Sequence, residues 1–247
     1  MEFVISKKQN IVSTQSDLMA LSRNSYLEEG FVLIADSQSA GRGQGSNKWE
    51  SEPGKNLTFS LLLRPSFLPV AHQFDLMQAL SLAVVDFVSL YVKDGVSVKW
   101  PNDIYIGKKK ICGCLIQNRI LGCSLDEVYC GIGININQEV FSFAPSPTSL
   151  FLETAREYDL DDLLVRLLAC IAKRYEDLQS GLIDKMKQEY LSKLLYKGVF
   201  AEYIYNEKRI QGCIVGINEY GYLILECKNG ERIEAELKEL VFTHKEI

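Results

Sequence analysis

Four short segments of this 247-residue chain carry residue types suited to binding and activating anions. The first is Gly41-Arg42-Gly43-Gln44-Gly45-Ser46-Asn47-Lys48-Trp49. Alternating glycines let a backbone approach a ligand closely, and exposed N–H groups beside Arg42 suit a phosphate or carboxylate. The spacing is neither Gly-x-Gly-x-x-Gly nor a phosphate loop ending Gly-Lys-Ser/Thr, and on its glycines alone the segment equally suits a surface loop. The second is Lys99-Trp100-Pro101-Asn102-Asp103. It reads as a strand end with an Asn-Asp turn, and also as a site. There Lys99 neutralises phosphate, Asn102 bonds a base or ribose, and Asp103 holds Mg²⁺ through oxygen. In the third, Lys108-Lys109-Lys110-Ile111-Cys112-Gly113-Cys114-Leu115, the first two lysines read as a solvated turn. Lys110 touches the strand and is placed to stabilise charge developing in phosphoryl or nucleotidyl transfer. Cys112 and Cys114 have one residue between them and no partner pair. They are expected as small hydrophobes on one strand face rather than as metal ligands. The fourth, Gly131-Ile132-Gly133-Ile134-Asn135-Ile136-Asn137, is an apolar strand ending in asparagines. Its two glycines leave room on one face, and Asn135 stands at the strand end.

These segments need a frame to hold them. Apolar runs at Phe31–Ala35 and Leu57–Leu63 read as buried strands, Val96–Trp100 as an alternating strand, and Ile111–Gln117 and Glu127–Ile134 as two more. Thr14 and Asp17 fit a capping pattern that opens a helix. Helical spacing predicts a long buried helix over Val70–Val92 and two more over Asp161–Leu178 and Leu182–Leu194. After Lys197-Gly198 the texture changes to short strands, Val199–Tyr205, Arg209–Ile217, Tyr222–Glu226 and Arg232–Glu236. Their turns fall at roughly ten-residue spacing, the signature of a small all-β barrel. A domain boundary is therefore expected near Leu195, giving residues 1–194 and 195–247.

Composition limits the alternatives. Lys+Arg total 27 against 32 Asp+Glu, a net charge of −5, which argues against nucleic-acid binding driven by bulk charge. Apolar residues make up 47% and suffice for a sizeable core. No apolar run approaches the roughly 20 residues of a membrane helix, and Met1–Asn10 lacks a secretory signal pattern. The seven cysteines show no paired spacing, as expected of reduced cytoplasmic thiols. His72 and His244 are the only histidines and lie away from the four segments in sequence.

Taken together, the segments resemble the biotin protein ligases. The resemblance rests on Ser13-Thr14-Gln15, Gln38 with Ala40-Gly41-Arg42-Gly43, Trp49, Lys99-Trp100-Pro101-Asn102-Asp103, Lys110-Ile111-Cys112-Gly113 and Gly131-Ile132-Gly133-Ile134-Asn135. It spans residues 10–137 strongly and the remainder weakly. It implies an α/β (α+β) catalytic domain with a mixed sheet, followed by a small SH3-like barrel. It also implies an enzyme that activates biotin with ATP and Mg²⁺ as biotinyl-5′-AMP and transfers it to a lysine of a biotin carboxyl carrier protein or domain. No tightly bound cofactor is implied.

By resemblance, Ser13, Thr14, Gln15, Gln38, Gly41, Arg42, Gly43, Lys110, Gly113 and Cys114 would bind biotin. Gln44, Trp49, Lys99, Asn102, Asp103 and Asn135 would lie on the nucleotide side, with Asp103 also the Mg²⁺ ligand. Lys110 and Arg42 would be catalytic. Three positions depart from the family pattern: Gln44 stands where Arg is common, Gln15 where Asn is common, and Cys114 where an aliphatic residue is usual. The nearest alternative is a lipoate or octanoate ligase or transferase of the same fold. A non-catalytic biotin binder is a further one, disfavoured by the presence of both Lys110 and Arg42. About a dozen residues precede Ser13, so no DNA-binding extension, nucleic-acid partner or membrane partner is expected. The family contains monomers and dimers, and either state stays open.

Overall fold

The apolar run Leu57–Leu63 becomes a strand, β3, in which all seven residues are buried. The sheet extends outward from it on both sides. The computed structural model describes residues 1–45 and 47–246; Ser46 of the glycine-rich loop and Ile247 lie outside the described residues, as do the side chains of His244, Lys245 and Glu246. Around β3 stand β1 (Val4–Ile11), β2 (Phe31–Gln38), β4 (Val96–Lys99), β5 (Asp103–Ile106), β6 (Lys109–Leu121) and β7 (Ser124–Ile134). Their spatial order is β1-β2-β3-β7-β6-β5-β4. The β1–β2 pair is parallel and every other pair is antiparallel, so the sheet is mixed, as expected.

Alternation along β3 sorts its side chains between two faces. Phe59, Leu61 and Leu63 join the large core, which also takes in Val84, Phe87 and Val88 of α2 (Gln73–Ser89) and Leu164, Leu167 and Ile171 of α4 (Leu160–Gln179). Burying such a side chain contributes roughly 1.5–3 kcal/mol. On the opposite face Leu62 meets Leu18, Leu33 and Tyr129 beneath α1 (Thr14–Asn24). The predicted helix Val70–Val92 is realised as a 3-10 turn, Val70–His72, followed by α2. Two shorter helices, α3 (Leu150–Thr154) and α5 (Ile183–Ser192), complete the helical set. The predicted cap moves by one residue. Ser13 is the N-cap of α1 and makes no side-chain cap bond, while Thr14, already helical, turns its hydroxyl to Ser60 of β3.

Past α5 the chain is stitched to β4, with Leu195 N–H donating to Val98 O at 2.8 Å. Five strands follow, β8 (Phe200–Tyr205), β9 (Lys208–Ile217), β10 (Leu223–Cys227), β11 (Arg232–Ala235) and β12 (Leu240–Glu246). They form an antiparallel sheet in the order β11-β10-β9-β8-β12. The expected barrel does not close: among the described residues β11 and β12 are free edges. A tight turn between them, with Glu239 N–H bonded to Glu236 O at 3.0 Å, separates the two edges instead of pairing them. Trp100 Nε1–H donates to Gly221 O at 3.0 Å and anchors this sheet to the end of β4. Gly221 is required there, since its φ is +91° and a Cβ would fall 2.4 Å from the Phe74 ring. No helix among the described residues is long and apolar enough to cross a membrane.

Candidate active site

The face of the sheet beneath α1 is built from rows of cross-strand partners. Ser60 of β3, Gly131 of β7 and Leu115 of β6 form one row; Thr58, Gly133 and Gly113 form the next. In a strand that otherwise reads as core, Thr58 and Ser60 are the polar exceptions, and both are buried. Each row is bare where a glycine stands, and a side chain from elsewhere enters the gap.

Gln15 enters the first row. A Cβ on Gly131 would fall 2.7 Å from Gln15 Oε1. Gln15 Nε2–H donates to Tyr129 O at 3.0 Å, and Ser60 Oγ–H reaches both Gln15 Oε1 at 3.0 Å and Thr14 Oγ1 at 2.9 Å. Thr14 N–H, unsatisfied within the first helical turn, donates to Gln38 Oε1 at 2.7 Å. Ser13, Thr14 and Gln15 are each at most 3% exposed. Thr14 and Gln15 of α1 and Gln38 of β2 thus line a cavity of about 130 Å³, with Ser60 of β3 bonded to the first two.

Trp49 enters the second row. A Cβ on Gly133 would lie 2.4 Å from Trp49 Cε2, and one on Gly113 would lie 3.0 Å from Cζ3. The indole arrives on a hairpin made by the glycine-rich loop. Gly43 N–H bonds Asn47 O at 2.8 Å, and Trp49 N–H bonds Gly41 O at 3.0 Å. Arg42 is exposed, and its Nη1–H lies 3.4 Å from Ser16 Oγ. Trp49 Nε1–H is buried without a partner.

Lys110 stands where two cavities meet. Its Nζ is 2.6 Å from Asp103 Oδ2, and both side chains are 26% exposed. The first cavity holds the Ser13–Gln15 cluster; the second, of about 500 Å³, opens toward Lys99, Tyr105, Asn135, Phe143 and Pro147. Asn47, Lys48, Trp49, Asp103 and Lys110 line both. Such a wall can place two separately bound anions against one cation. Burial lowers the Lys99 ammonium below its ordinary pKa, with Asp103 opposing and Lys110 adding to the effect. Lys99 also lies 5.3 Å from the Phe242 ring, so the C-terminal sheet reaches this region.

The structure brings most of the predicted residues together. Ser13, Thr14, Gln15, Gln38, Arg42, Gly43, Gln44, Trp49, Asp103, Lys110, Gly113 and Cys114 line the first cavity, and Lys99 and Asn135 line the second. Gly41 lies behind Trp49, where a Cβ would fall 2.7 Å from Trp49 O. Asn102 lines neither cavity; its Nδ2–H donates to Cys114 O at 3.2 Å and holds the turn against β6. Asn135 donates to Thr148 O at 2.9 Å and leaves Oδ1 buried and unpartnered, an acceptor open to a donor in the second cavity, which Asn135 lines. Cys112 is fully buried in the core, while Cys114 is half-buried at the cavity. Among the described residues no group of three His, Cys, Asp or Glu side chains could hold a metal by itself. The sequence reading missed Thr58, which lines the first cavity, Ser60, which bonds Thr14 and Gln15, and Glu50, which lines the second cavity. Thr58 and Ser60 interrupt an apolar run and are legible on that ground; Glu50 is not.

Comparison with known proteins agrees with this geometry. A sequence profile of the Biotin/lipoate A/B protein ligase family matches residues 8–135, just over half of the chain. The Bifunctional ligase/repressor BirA of Bacillus spizizenii is 32% identical over 224 residues, covering 89% of this chain and 68% of its own length. The Biotin--[acetyl-CoA-carboxylase] ligase of Paracoccus denitrificans is 26% identical over 214 residues, 81% of this chain and 86% of its own. A biotin protein ligase from Aquifex aeolicus, solved in complex with biotin and ATP, superposes with a TM-score of 0.78 at 28% identity, covering 96% of this chain and 97% of its own. The profile match over more than half of the chain and the 32% identity to BirA show its lineage: this chain belongs to the Biotin/lipoate A/B protein ligase family.

Proposed function

We propose that this protein is an ATP-dependent biotin protein ligase that joins biotin to a lysine of a biotin carboxyl carrier protein, and that the first cavity receives biotin and the second ATP. The observation that carries this reading is the pair of adjoining cavities sharing Lys110. The polar cluster of Ser13, Thr14, Gln15 and Gln38 offers donors and acceptors suited to a ureido ring. Gly113 and Gly133 leave a slot that the Trp49 indole fills, and with the indole displaced this slot would receive the acyl chain.

The first step joins two anions. A biotin carboxylate oxygen attacks the α-phosphorus of ATP, a mixed anhydride forms, and pyrophosphate departs. Lys110 offsets the charge on both partners where they meet, and Arg42 adds a second cation from the hairpin. Mg²⁺ would be held largely by phosphate oxygens and water, needing only one or two protein carboxylates, and would offset phosphate charge. Asp103 at the junction would supply one such carboxylate. In the second step the neutral amine of the carrier lysine attacks the acyl carbon, AMP leaves, and the amine proton passes to solvent. The hairpin bearing Arg42, Gly43, Gln44 and Trp49 shields the anhydride from water meanwhile. Lys99 and Asn135 serve the nucleotide, and Asn102 serves it indirectly by holding the turn that carries Asp103.

Residues 1–194 form the catalytic unit in this reading, and residues 195–247 form an SH3-like unit, supported by its five short antiparallel strands. The net charge of −5 offers no bulk attraction to nucleic acid. The substrate assignment is tested by incubating the protein with ATP, Mg²⁺, a carrier domain and either biotin or lipoate. Label on the carrier from biotin alone is the expected result. Label from lipoate alone would overturn it.

A further inference from the structure

One carboxylate beside the hairpin lines the second cavity and is spent on backbone. Glu50, the residue after Trp49, accepts three consecutive backbone N–H groups from the far wall of the second cavity. Ser142 N–H reaches Oε1 at 2.5 Å, while Phe143 and Ala144 N–H reach Oε2 at 3.0 Å each. Desolvation acts to raise the Glu50 pKa, and these three bonds outweigh it, so the carboxyl is held below its usual range. The same stretch of chain supplies Phe143, Ala144, Pro145 and Pro147 to the cavity lining. Its other end is tied to the junction lysine by backbone: Lys110 N–H donates to Ser146 O at 2.8 Å, and Thr148 N–H donates to Lys110 O at 2.9 Å. Residues 142–148 therefore form a strap with the hairpin at one end and the strand of Lys110 at the other.

We propose that Glu50 is a positioning residue for the nucleotide: by collecting the amides of residues 142–144 it shapes the cavity wall and joins that wall to the glycine-rich hairpin, so that hairpin and wall move as one body. A charged acceptor is needed because three donors converge on two oxygens, and a neutral amide would turn its NH₂ toward one of them. The strap does not depend on the reaction. Its effect on ATP rests on the ligase reading above.

Glu50→Ala and the isosteric Glu50→Gln separate these layers. Hydrogen exchange of the ligand-free proteins reads the strap itself: amides 142–144 are expected to exchange about tenfold faster in Glu50→Ala, with β3 unchanged, and unchanged exchange at 142–144 overturns the proposal. Biotin-dependent pyrophosphate release reads the positioning. KM for ATP is expected to rise about fivefold or more in both variants, the scale of one lost capping carboxylate, while KM for biotin and kcat stay within about twofold. Equal rises in both KM values, or a fall in kcat alone, would overturn the positioning role. A wild-type protein that releases no pyrophosphate with biotin would instead remove the ligase reading, and the exchange data would still decide the strap.

Discussion

A Cβ on Gly133 would lie 2.4 Å from Cε2 of Trp49. The indole thus fills a slot that exists only because β6 and β7 set two glycines, Gly113 and Gly133, opposite each other. Gly133→Ala forces the indole or the strand to move, and overpacking of this kind costs about 1–3 kcal/mol. Because Trp49 sits on a surface hairpin, most of that cost falls on the hairpin rather than on the core. The expected outcome is a shifted tryptophan emission, kcat/KM for biotin lowered about tenfold, and a nearly unchanged melting temperature. Wild-type kinetics with an unshifted spectrum would show that the slot has no part in the site.

Ser60 links the two motif residues that face the first cavity. Ser60→Ala removes the hydroxyl serving Thr14 Oγ1 and Gln15 Oε1. A stability loss of about 1 kcal/mol is expected in urea denaturation, the net worth of such a bond. KM for biotin should rise severalfold with KM for ATP unchanged, because the hydroxyl holds Thr14 and Gln15, which line the cavity assigned to biotin. Equal effects on both substrates would contradict the division of the cavities.

Lys99 gives a pH-dependent test. The unfolded chain keeps this lysine protonated up to its ordinary value of 10.5, whereas burial makes the folded protein release the proton earlier. Between the lowered pKa and 10.5 the unfolded state binds more protons, so this group makes stability rise with pH over that window. Lys99→Met removes the buried charge. It is expected to melt at or above the wild-type temperature at pH 7 and to lose the alkaline gain, while KM for ATP rises. A lower melting temperature with unchanged KM would mean that Lys99 is structural only.

Much of this architecture is legible in the sequence, and the exceptions have physical causes. β3 matches its largely apolar run residue for residue, because a strand buried on both faces is mostly hydrophobic, and its two polar residues, Thr58 and Ser60, face the site. β1 was not read as a strand: it is an edge strand with a largely exposed Lys-Lys-Gln-Asn centre and no alternation to see. β5 is four residues long, and its presence turns residues 100–102 into a tight connection between strands whose ends, Lys99 and Asp103, pair. The glycines at 131 and 133 signalled room on one face. That Gln15 and Trp49 fill it is a tertiary fact that no local pattern records. Glu50 is the clearest case, because its partners lie more than 90 residues away in sequence.

The central claim is that Lys110, paired with Asp103 at 2.6 Å where the two cavities meet, brings the two anions together. The most direct measurement is biotin-dependent release of pyrophosphate from ATP by wild-type protein and by Lys110→Ala, with folding verified by circular dichroism. Loss of one preorganised charge-stabilising group lowers kcat by about 10²–10³, and a drop of that size in a folded variant is the predicted result. A folded Lys110→Ala protein that releases pyrophosphate at close to the wild-type rate would contradict the account.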